Sequence, residues 1–207
     1  MPTHVLIFAK QPLPGFAKTR LIPALGEAGA AQLAEGLLQH AVQQAKAADI
    51  GPVSLHFTPA QWPVAAHVNQ TEFSYQPQCE GDLGARMAHA CGQISAQNPG
   101  SGVLVMGTDC PALTSEVLQQ MHSALADYPA CLVPANDGGY VALAMRECQA
   151  EVFSNIAWST PAVAPTTRQR MQALGWQWRE LPALVDIDEA EDLAYLSADL
   201  KAMVGLG

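Results

Sequence analysis

The sequence predicts an α/β protein built on one doubly wound, mostly parallel β-sheet. Short apolar runs alternate with segments of helical periodicity along the chain, which is typical of parallel sheets covered by helices on both faces. The run at 102–107 is apolar throughout and flanked by glycines, as expected of a strand buried on both faces. With 207 residues, 49% of them hydrophobic, the chain can bury a continuous core. We expect residues 1–207 to form a single domain.

The individual elements follow from hydrophobic spacing and from turn residues. After an opening strand over 4–9, apolar residues at helical spacing predict a helix over 27–48, which ends at Gly51 and Pro52. Thr114 is a plausible N-cap for a later helix. The remaining predicted strands are 53–57, 73–76, 102–107, 130–135, 140–145 and 178–181, and the remaining predicted helices are 80–95, 115–126, 163–174 and 190–200.

Composition excludes several classes of partner. The net charge is −9, from 19 acidic and 10 basic residues with no basic stripe, which argues against binding to a nucleic-acid duplex or an anionic membrane. The sequence shows neither a signal peptide nor an apolar run long enough to span a bilayer. The five cysteines have no metal-ligand spacing and are interpreted as reduced. We therefore expect a cytoplasmic protein; no oligomeric state is predicted.

A basic loop follows the first predicted strand. Lys10, Lys18 and Arg20 are three of the ten basic residues, and no acidic residue precedes position 27. Ligands of open α/β sheets bind outside the carboxyl ends of the strands, so this loop predicts a phosphate-bearing ligand. It is not a Walker A motif, because Pro12 and Ala17 stand where that pattern requires glycine. A P-loop NTPase is therefore disfavoured.

Acidic residues supply a candidate metal site. Asp109 follows the predicted central strand, where it faces the ligand crevice or only caps a turn. Asp186 and Asp188 precede the last predicted helix and share one side of an extended segment, although acids beside a helix start also complement its dipole. Carboxylate oxygens are suitable ligands for Mg²⁺ or Mn²⁺. Asp109 with Asp188 is the candidate pair.

Three further segments carry weaker signals. The Asn136–Tyr140 stretch is either only a hairpin turn or a turn that also places Asn136 and Asp137 at the rim of a site, and we weigh these equally. Arg86 lies at a predicted helix start, and Trp158 begins a polar loop. The candidates from these segments are Arg86, Asn136, Asp137, Gly138, Gly139, Trp158, Ser159 and Thr160.

Taken together, these motifs resemble a bacterial family of candidate glycosyltransferases with the GT-A, or nucleotide-diphospho-sugar transferase, fold. The resemblance extends over nearly the whole chain. The start of the chain and Gly107-Thr108-Asp109-Cys110-Pro111 are more distantly similar to molybdenum-cofactor and phospholactate guanylyltransferases, which implies that Asp109 is a metal ligand. The matching stretches are Phe8-Ala9-Lys10, Pro14-Gly15, Lys18-Thr19-Arg20-Leu21, Gly81-Asp82-Leu83-Gly84, Arg86-Met87, Gly107-Thr108-Asp109-Cys110-Pro111, Pro134-Ala135, Asp137-Gly138-Gly139-Tyr140, Trp158-Ser159-Thr160, Asp186-Ile187-Asp188 and Glu191-Asp192-Leu193.

The expected activity is transfer from a nucleotide-activated diphosphate donor to a small-molecule acceptor, assisted by Mg²⁺ or Mn²⁺. Glycosyl transfer from a nucleotide sugar is favoured by the resemblance. Nucleotidyl transfer from an NTP to a phosphorylated acceptor, or a non-catalytic nucleotide-binding module, are the alternatives. The predicted roles are metal binding by Asp109 and Asp188, phosphate binding by Lys10, Lys18, Arg20 and Arg86, catalysis by Asp109, Asp137 and Lys18, and a substrate pocket formed by Asn136, Asp137, Gly138, Gly139, Trp158, Ser159 and Thr160.

Overall fold

In the part of the chain that the structure describes, seven strands pair into one mixed β-sheet, in the order β3-β2-β1-β4-β6-β5-β7. The computed structural model describes residues 1–59 and 74–206. The strands are β1 Thr3–Lys10, β2 Val53–Thr58, β3 Ser74–Pro77, β4 Gly102–Met106, β5 Ala130–Pro134, β6 Tyr140–Met145 and β7 Trp178–Glu180. The α-helices are α1 Ile22–Ala47, α2 Leu83–Gln97, α3 Ser115–Ala124, α4 Val163–Ala173 and α5 Ala198–Met203.

Parallel pairing dominates the sheet. The pairs β1–β2, β1–β4, β2–β3 and β5–β7 are parallel, and only β6 runs antiparallel to its two neighbours, β4 and β5. The predicted fold class is therefore confirmed. The predicted strand at 73–76 begins at a residue outside the described part of the chain, and β3 is described from Ser74 onward.

Both faces of the sheet are buried because apolar side chains alternate along its central strands. Val5 and Ile7 of β1 and Leu104 of β4 pack into one apolar cluster, which also contains residues of α1 and α3. Leu6 and Val103 point the other way and pack in a cluster that includes residues of α2 and α4. Burying each such side chain stabilises the fold by about 1.5–3 kcal/mol.

The N-termini of three helices differ in capping and in backbone geometry. α1 begins at Ile22, earlier than the predicted residue 27, but Gly26 has φ 69 and interrupts it with a kink. α2 begins at Leu83 because the Asp82 carboxylate accepts a 2.8 Å hydrogen bond from the Ala85 amide. Thr114 occupies the N-cap position of α3 without a side-chain capping bond to the backbone of that helix.

The last predicted helix, 190–200, is wrong as a single element. A 3₁₀ helix covers Ala190–Tyr195, Leu196 is extended with ψ 144, and α5 starts at Ala198. Ser197 caps α5 by accepting a hydrogen bond from the Leu200 amide at 3.3 Å. A serine N-cap starts a new helix more readily than it continues an old one, which explains the break.

Strand direction places a ligand crevice between β1 and β4. These two parallel strands end side by side, β1 at Lys10 and β4 at Met106. Antiparallel β6 begins at the same edge, since Ala142 pairs with Met106. Residues just beyond these ends therefore converge although they lie far apart in sequence. Among the described residues, no helix combines the length and apolarity needed to cross a membrane.

Two glycines of α2 provide a matched test of how the helix is seated. A Cβ at Gly84 would overlap the Phe153 carbonyl oxygen and lie 2.9 Å from Trp158 Nε1, whereas a Cβ at Gly92 would meet nothing within 4 Å. We expect Gly92→Ala to stabilise the protein by about 0.5–1 kcal/mol through helix propensity. Gly84→Ala is expected to destabilise it by about 1–3 kcal/mol through overpacking. Urea unfolding measures both, and equal stabilisation by the two variants would contradict this packing.

Candidate functional site

A cleft of about 670 Å³ opens at the carboxyl ends of β1 and β4. Most of the residues singled out by sequence lie around it, although they come from separate loops. Asn136 and Gly138 do not line it. The predicted residues that do line it are Lys10, Lys18, Arg20, Arg86, Asp109, Asp137, Gly139, Trp158, Ser159, Thr160 and Asp188, and Asp186 joins them.

Lys18 is the most buried cation of the cleft. Its backbone is left-handed, with φ 51, and its side chain is only 5% exposed. The Lys18 ammonium donates a hydrogen bond to the Ile187 carbonyl oxygen and lies 2.8 Å from Asp109 Oδ1. A buried ammonium requires a counter-charge and hydrogen-bond acceptors. The Lys18 ammonium, which the sequence predicts as a phosphate-binding group, therefore already has partners within the protein.

The segment around Ile187 lies directly beside Asp109. The Ile187 amide donates a 2.8 Å hydrogen bond to the Asp109 carbonyl oxygen, and the Ile187 side chain is fully buried in an apolar cluster with Leu21 and Leu33. Because side chains alternate along an extended segment, Asp186 and Asp188 point away from that cluster. Both line the cleft.

Arg20 is paired more loosely than Lys18. Its Nη1 lies 2.6 Å from Asp188 Oδ2 and 3.3 Å from Glu189 Oε1. The arginine side chain is 58% exposed and that of Asp188 is 43% exposed. Solvent-exposed ion pairs of this kind contribute about 0–1 kcal/mol to stability. The second cation of the basic loop is thus also held by an acid, but weakly.

Asp186 carries charge that no described ion pair neutralises. The residue is half-buried, and this burial raises the pKa of its carboxyl group. The like charges of Asp137, and then of Asp109 and Asp188, raise the same pKa further. Three other aspartates of the cleft, Asp109, Asp137 and Asp188, therefore surround Asp186 with like charge.

The turn after β5 closes a hairpin and places Asp137, but not Asn136, at the cleft. The Ala135 amide donates to the Gly139 carbonyl oxygen at 3.0 Å, which closes the β5–β6 hairpin. Asp137 Oδ1 accepts a 2.7 Å hydrogen bond from the Gly139 amide, while Asp137 also lines the cleft. Gly138, with φ 91, packs under the Pro161 backbone, where a Cβ would lie 2.6 Å from the Pro161 Cα.

Arg86 braces the cleft wall. Its Nε donates to the Gly81 carbonyl oxygen at 2.9 Å, and its Nη1 donates to Gln78 Oε1 at 3.3 Å. Gln78 in turn donates to the carbonyl oxygens of His56 at 2.9 Å and Ala9 at 3.3 Å. Two of the five guanidinium donors are therefore used within the protein, which reduces the predicted capacity of Arg86 to bind phosphate.

Trp158 and Tyr140 form an aromatic wall. Their ring centroids are 6.3 Å apart at an interplanar angle of 75°, an edge-to-face arrangement. Both residues line the cleft, yet Tyr140 Oη and Trp158 Nε1 are buried without a hydrogen-bond partner. In the adjoining loop, Thr160 Oγ1 donates to the Ala157 carbonyl oxygen at 2.7 Å.

Among the residues lining the cleft that sequence reasoning did not single out are two exposed apolar ones. Phe16 and Leu83 both line it while remaining 42% and 40% exposed. Their residue type could have indicated a role, because large apolar side chains are unusual in a polar loop and at the exposed start of a helix. Gln78 was also missed, because a single glutamine after a weak strand carries no motif.

The donor set fits a hard divalent cation supported by a substrate. Within residues 1–59 and 74–206, no three His, Cys, Asp or Glu side chains are arranged to hold a metal by themselves. One carboxylate oxygen of Asp109 contacts Lys18, and one carboxylate oxygen of Asp188 contacts Arg20. Both carboxylates therefore already attract positive charge. Mg²⁺ is commonly held by one or two carboxylates together with substrate phosphates and water.

The Lys18 contacts predict unequal effects of two lysine substitutions. Lys18→Met removes the donor from the Ile187 carbonyl oxygen and the counter-charge from Asp109, and we expect it to destabilise the protein by about 1–3 kcal/mol. Lys10 is exposed, so Lys10→Met is expected to stay within about 0.5 kcal/mol of the wild type. Urea unfolding of both variants is the measurement, and a loss no larger for Lys18→Met than for Lys10→Met would show that this contact does not hold the loop.

The raised pKa of Asp186 predicts a pH-dependent gain in stability for Asp186→Asn in metal-free protein. A carboxyl group with a raised pKa in the folded state penalises folding when ionised. The Tm of the variant should therefore be higher than that of the wild type at neutral pH. A stabilisation of about 1 kcal/mol raises the Tm of a protein of this size by ~2–4 °C, and we expect no larger increase. The gain should vanish below the unfolded pKa of about 3.9. Thermal melts from about pH 3 to about pH 8 measure this difference in Tm.

Asp127→Asn, at an exposed position outside the cleft, is the control. A gain in Tm for Asp186→Asn that grew in acid would contradict the assignment.

Solved structures share the fold over nearly their full length. A candidate nucleotide-diphospho-sugar transferase from Desulfovibrio desulfuricans G20 is 26% identical with a TM-score of 0.86, over 100% of this chain and 94% of that chain. Rv0371c from Mycobacterium tuberculosis H37Rv, in complex with manganese, is 14% identical with a TM-score of 0.56, over 99% and 97%. A nucleotidyl transferase from Methanothermobacter thermautotrophicus is 12% identical with a TM-score of 0.66, over 97% and 98%.

These similarities confirm the predicted nucleotide-diphospho-sugar transferase fold. No curated protein sequence matches the chain. The profile of the DUF2064 family, described as an uncharacterized protein conserved in bacteria, matches residues 38–160, more than half of the sequence. The chain therefore belongs to the DUF2064 family.

Proposed function

We propose that this protein is a divalent-metal-dependent transferase that transfers a glycosyl group from a nucleotide sugar to a small-molecule acceptor. The observation that carries the proposal is the grouping of Asp109, Asp186 and Asp188 in one cleft with Lys18 and Arg20. Carboxylates for a metal and cations for a diphosphate are both needed to bind a nucleotide-activated donor. The similarity to a candidate nucleotide-diphospho-sugar transferase supports the same kind of reaction.

Asp109 and Asp188 are the proposed metal ligands, for Mg²⁺ or Mn²⁺. Lys18 contacts Asp109 through Oδ1, so the second oxygen of that half-exposed carboxylate is available to a ligand in the cleft. The metal, when bound, would neutralise charge on the diphosphate leaving group. The manganese complex of the mycobacterial neighbour is consistent with this choice of ion.

The chain's own residues would act mainly by positioning. Lys18 fixes the orientation of Asp109 from a buried position, while Arg20 and Lys10 lie at the cleft with exposed cationic groups. Asp137 holds its turn through Oδ1, which leaves Oδ2 to orient or deprotonate an acceptor hydroxyl. Orientation and charge stabilisation of this kind require no protein nucleophile.

Nucleotidyl transfer is the second candidate. It would use the same metal and cations, with a phosphorylated acceptor attacking the α-phosphate of an NTP and displacing pyrophosphate. The fold shared with a nucleotidyl transferase and the basic loop favour it. A non-catalytic nucleotide-binding module would keep the affinity for nucleotide and release nothing.

A donor screen with Mn²⁺ separates these candidates by their leaving group. Released UDP or GDP from nucleotide sugars indicates glycosyl transfer, and released pyrophosphate from NTPs indicates nucleotidyl transfer. We expect Asp109→Asn to lower the rate at least about 100-fold, because loss of the metal's charge stabilisation costs about 3 kcal/mol or more in the transition state. Asp127→Asn, outside the cleft, should retain the rate. Unchanged turnover and metal dependence in Asp109→Asn would remove the proposed site.

A further inference from the structure

We propose that Arg20 is an exchangeable counter-ion, which pairs with Asp188 in the metal-free protein and turns to the donor diphosphate when the metal takes its place. This inference rests on the proposed function, because it assigns a consequence to metal binding at Asp188. The sequence predicts phosphate binding by both Lys18 and Arg20 but does not distinguish a fixed cation from an exchangeable one.

The two cations differ in how firmly they are held. Lys18 is 5% exposed and is held by both Asp109 and the Ile187 carbonyl oxygen. Arg20 is 58% exposed, and its contacts to Asp188 and Glu189 share the single atom Nη1. Breaking an exposed pair of this kind costs about 1 kcal/mol or less. Only Arg20 is free to change partner without unfolding its surroundings.

Charge balance gives the exchange a direction. In the metal-free protein Lys18 pairs with Asp109 and Arg20 pairs with Asp188. A divalent cation at Asp188 would supply more charge than the guanidinium it displaces. The displaced guanidinium is planar and matches phosphate oxygens bidentately, so it gains a new partner in a bound diphosphate.

The position of Arg20 allows the change of partner. Arg20 belongs to the 3₁₀ helix Thr19–Leu21, which follows directly on Lys18, and lines the same cleft as Asp109 and Asp188. Glu189 stays fixed at its helix start by a capping box with Asp192. Glu189 is the second acidic contact of the paired guanidinium, 3.3 Å from Nη1. The exchange would use a rotation of the Arg20 side chain, which is 58% exposed.

Exchange predicts that metal and diphosphate bind with positive coupling, and that removing Arg20 moves their affinities in opposite directions. Titration calorimetry with Mn²⁺ alone should show Arg20→Gln binding the ion about 2- to 5-fold more tightly than the wild type, because no competing cation remains on Asp188. The same variant should bind the manganese complex of inorganic pyrophosphate about 10-fold more weakly, through loss of a charged hydrogen bond.

Lys10→Gln is the matched control. It removes one positive charge from the same cleft without touching an acid in the described structure, so it reports the general electrostatic effect on Mn²⁺ affinity. Arg20→Gln should exceed it in tightening Mn²⁺ binding, and Arg20→Lys should move both affinities back toward the wild type. Equal Mn²⁺ affinities in Arg20→Gln and Lys10→Gln would overturn the exchange and leave the proposed metal site standing. Failure of the wild-type protein to bind Mn²⁺ both alone and together with pyrophosphate would instead remove the proposed function, and the exchange with it.

Discussion

The arrangement of the cleft depends on the buried ammonium of Lys18. It joins the loop after β1 to the end of β4 through Asp109, and to the acidic segment through the Ile187 carbonyl oxygen. These three segments are distant in sequence and each follows a different element. A buried ammonium without partners costs several kcal/mol, so the contacts of Lys18 favour the arrangement in which the three segments meet. The Ile187 amide, bonded to the Asp109 carbonyl oxygen, fixes the register in which Asp186 and Asp188 flank that strand end.

This register brings like charges together around Asp186, which lowers the stability of the fold. Burial raises the pKa of the Asp186 carboxyl group, and the like charges of Asp137, Asp109 and Asp188 raise that pKa further. Lys18 and Arg20 compensate two of them. A structure selected only for stability would place a neutral residue at position 186. Retained repulsion at the edge of a sheet is instead typical of a site that acquires a cation with its ligand.

The fold could be predicted from sequence because its signals are local. Alternation of apolar runs gave the strands, and the alternation of side chains along 186–188 placed both aspartates on one side. The misses concern contacts between distant segments. The residues near Lys18 in sequence do not indicate that its side chain contacts Ile187 and Asp109. Likewise, the Gly81-Asp82-Leu83-Gly84 stretch does not show that Gly84 makes room for Trp158. The break between the last two helices was local, but the acidic run before Ser197 resembled one continuous helix start.

The aromatic wall shows a second compromise between shape and stability. Tyr140 Oη and Trp158 Nε1 lack partners, and each unsatisfied buried polar group costs about 1–3 kcal/mol. Two glycines nevertheless hold this wall tightly, Gly84 from α2 and Gly138 from the β5–β6 turn, and neither leaves room for a Cβ. Asp137, which precedes Gly138, is therefore held by the same packing that seats the loop from Trp158 to Pro161. The packing of this wall thus fixes the position of Asp137, the residue proposed to orient an acceptor hydroxyl, in the cleft that also holds the proposed metal ligands Asp109 and Asp188.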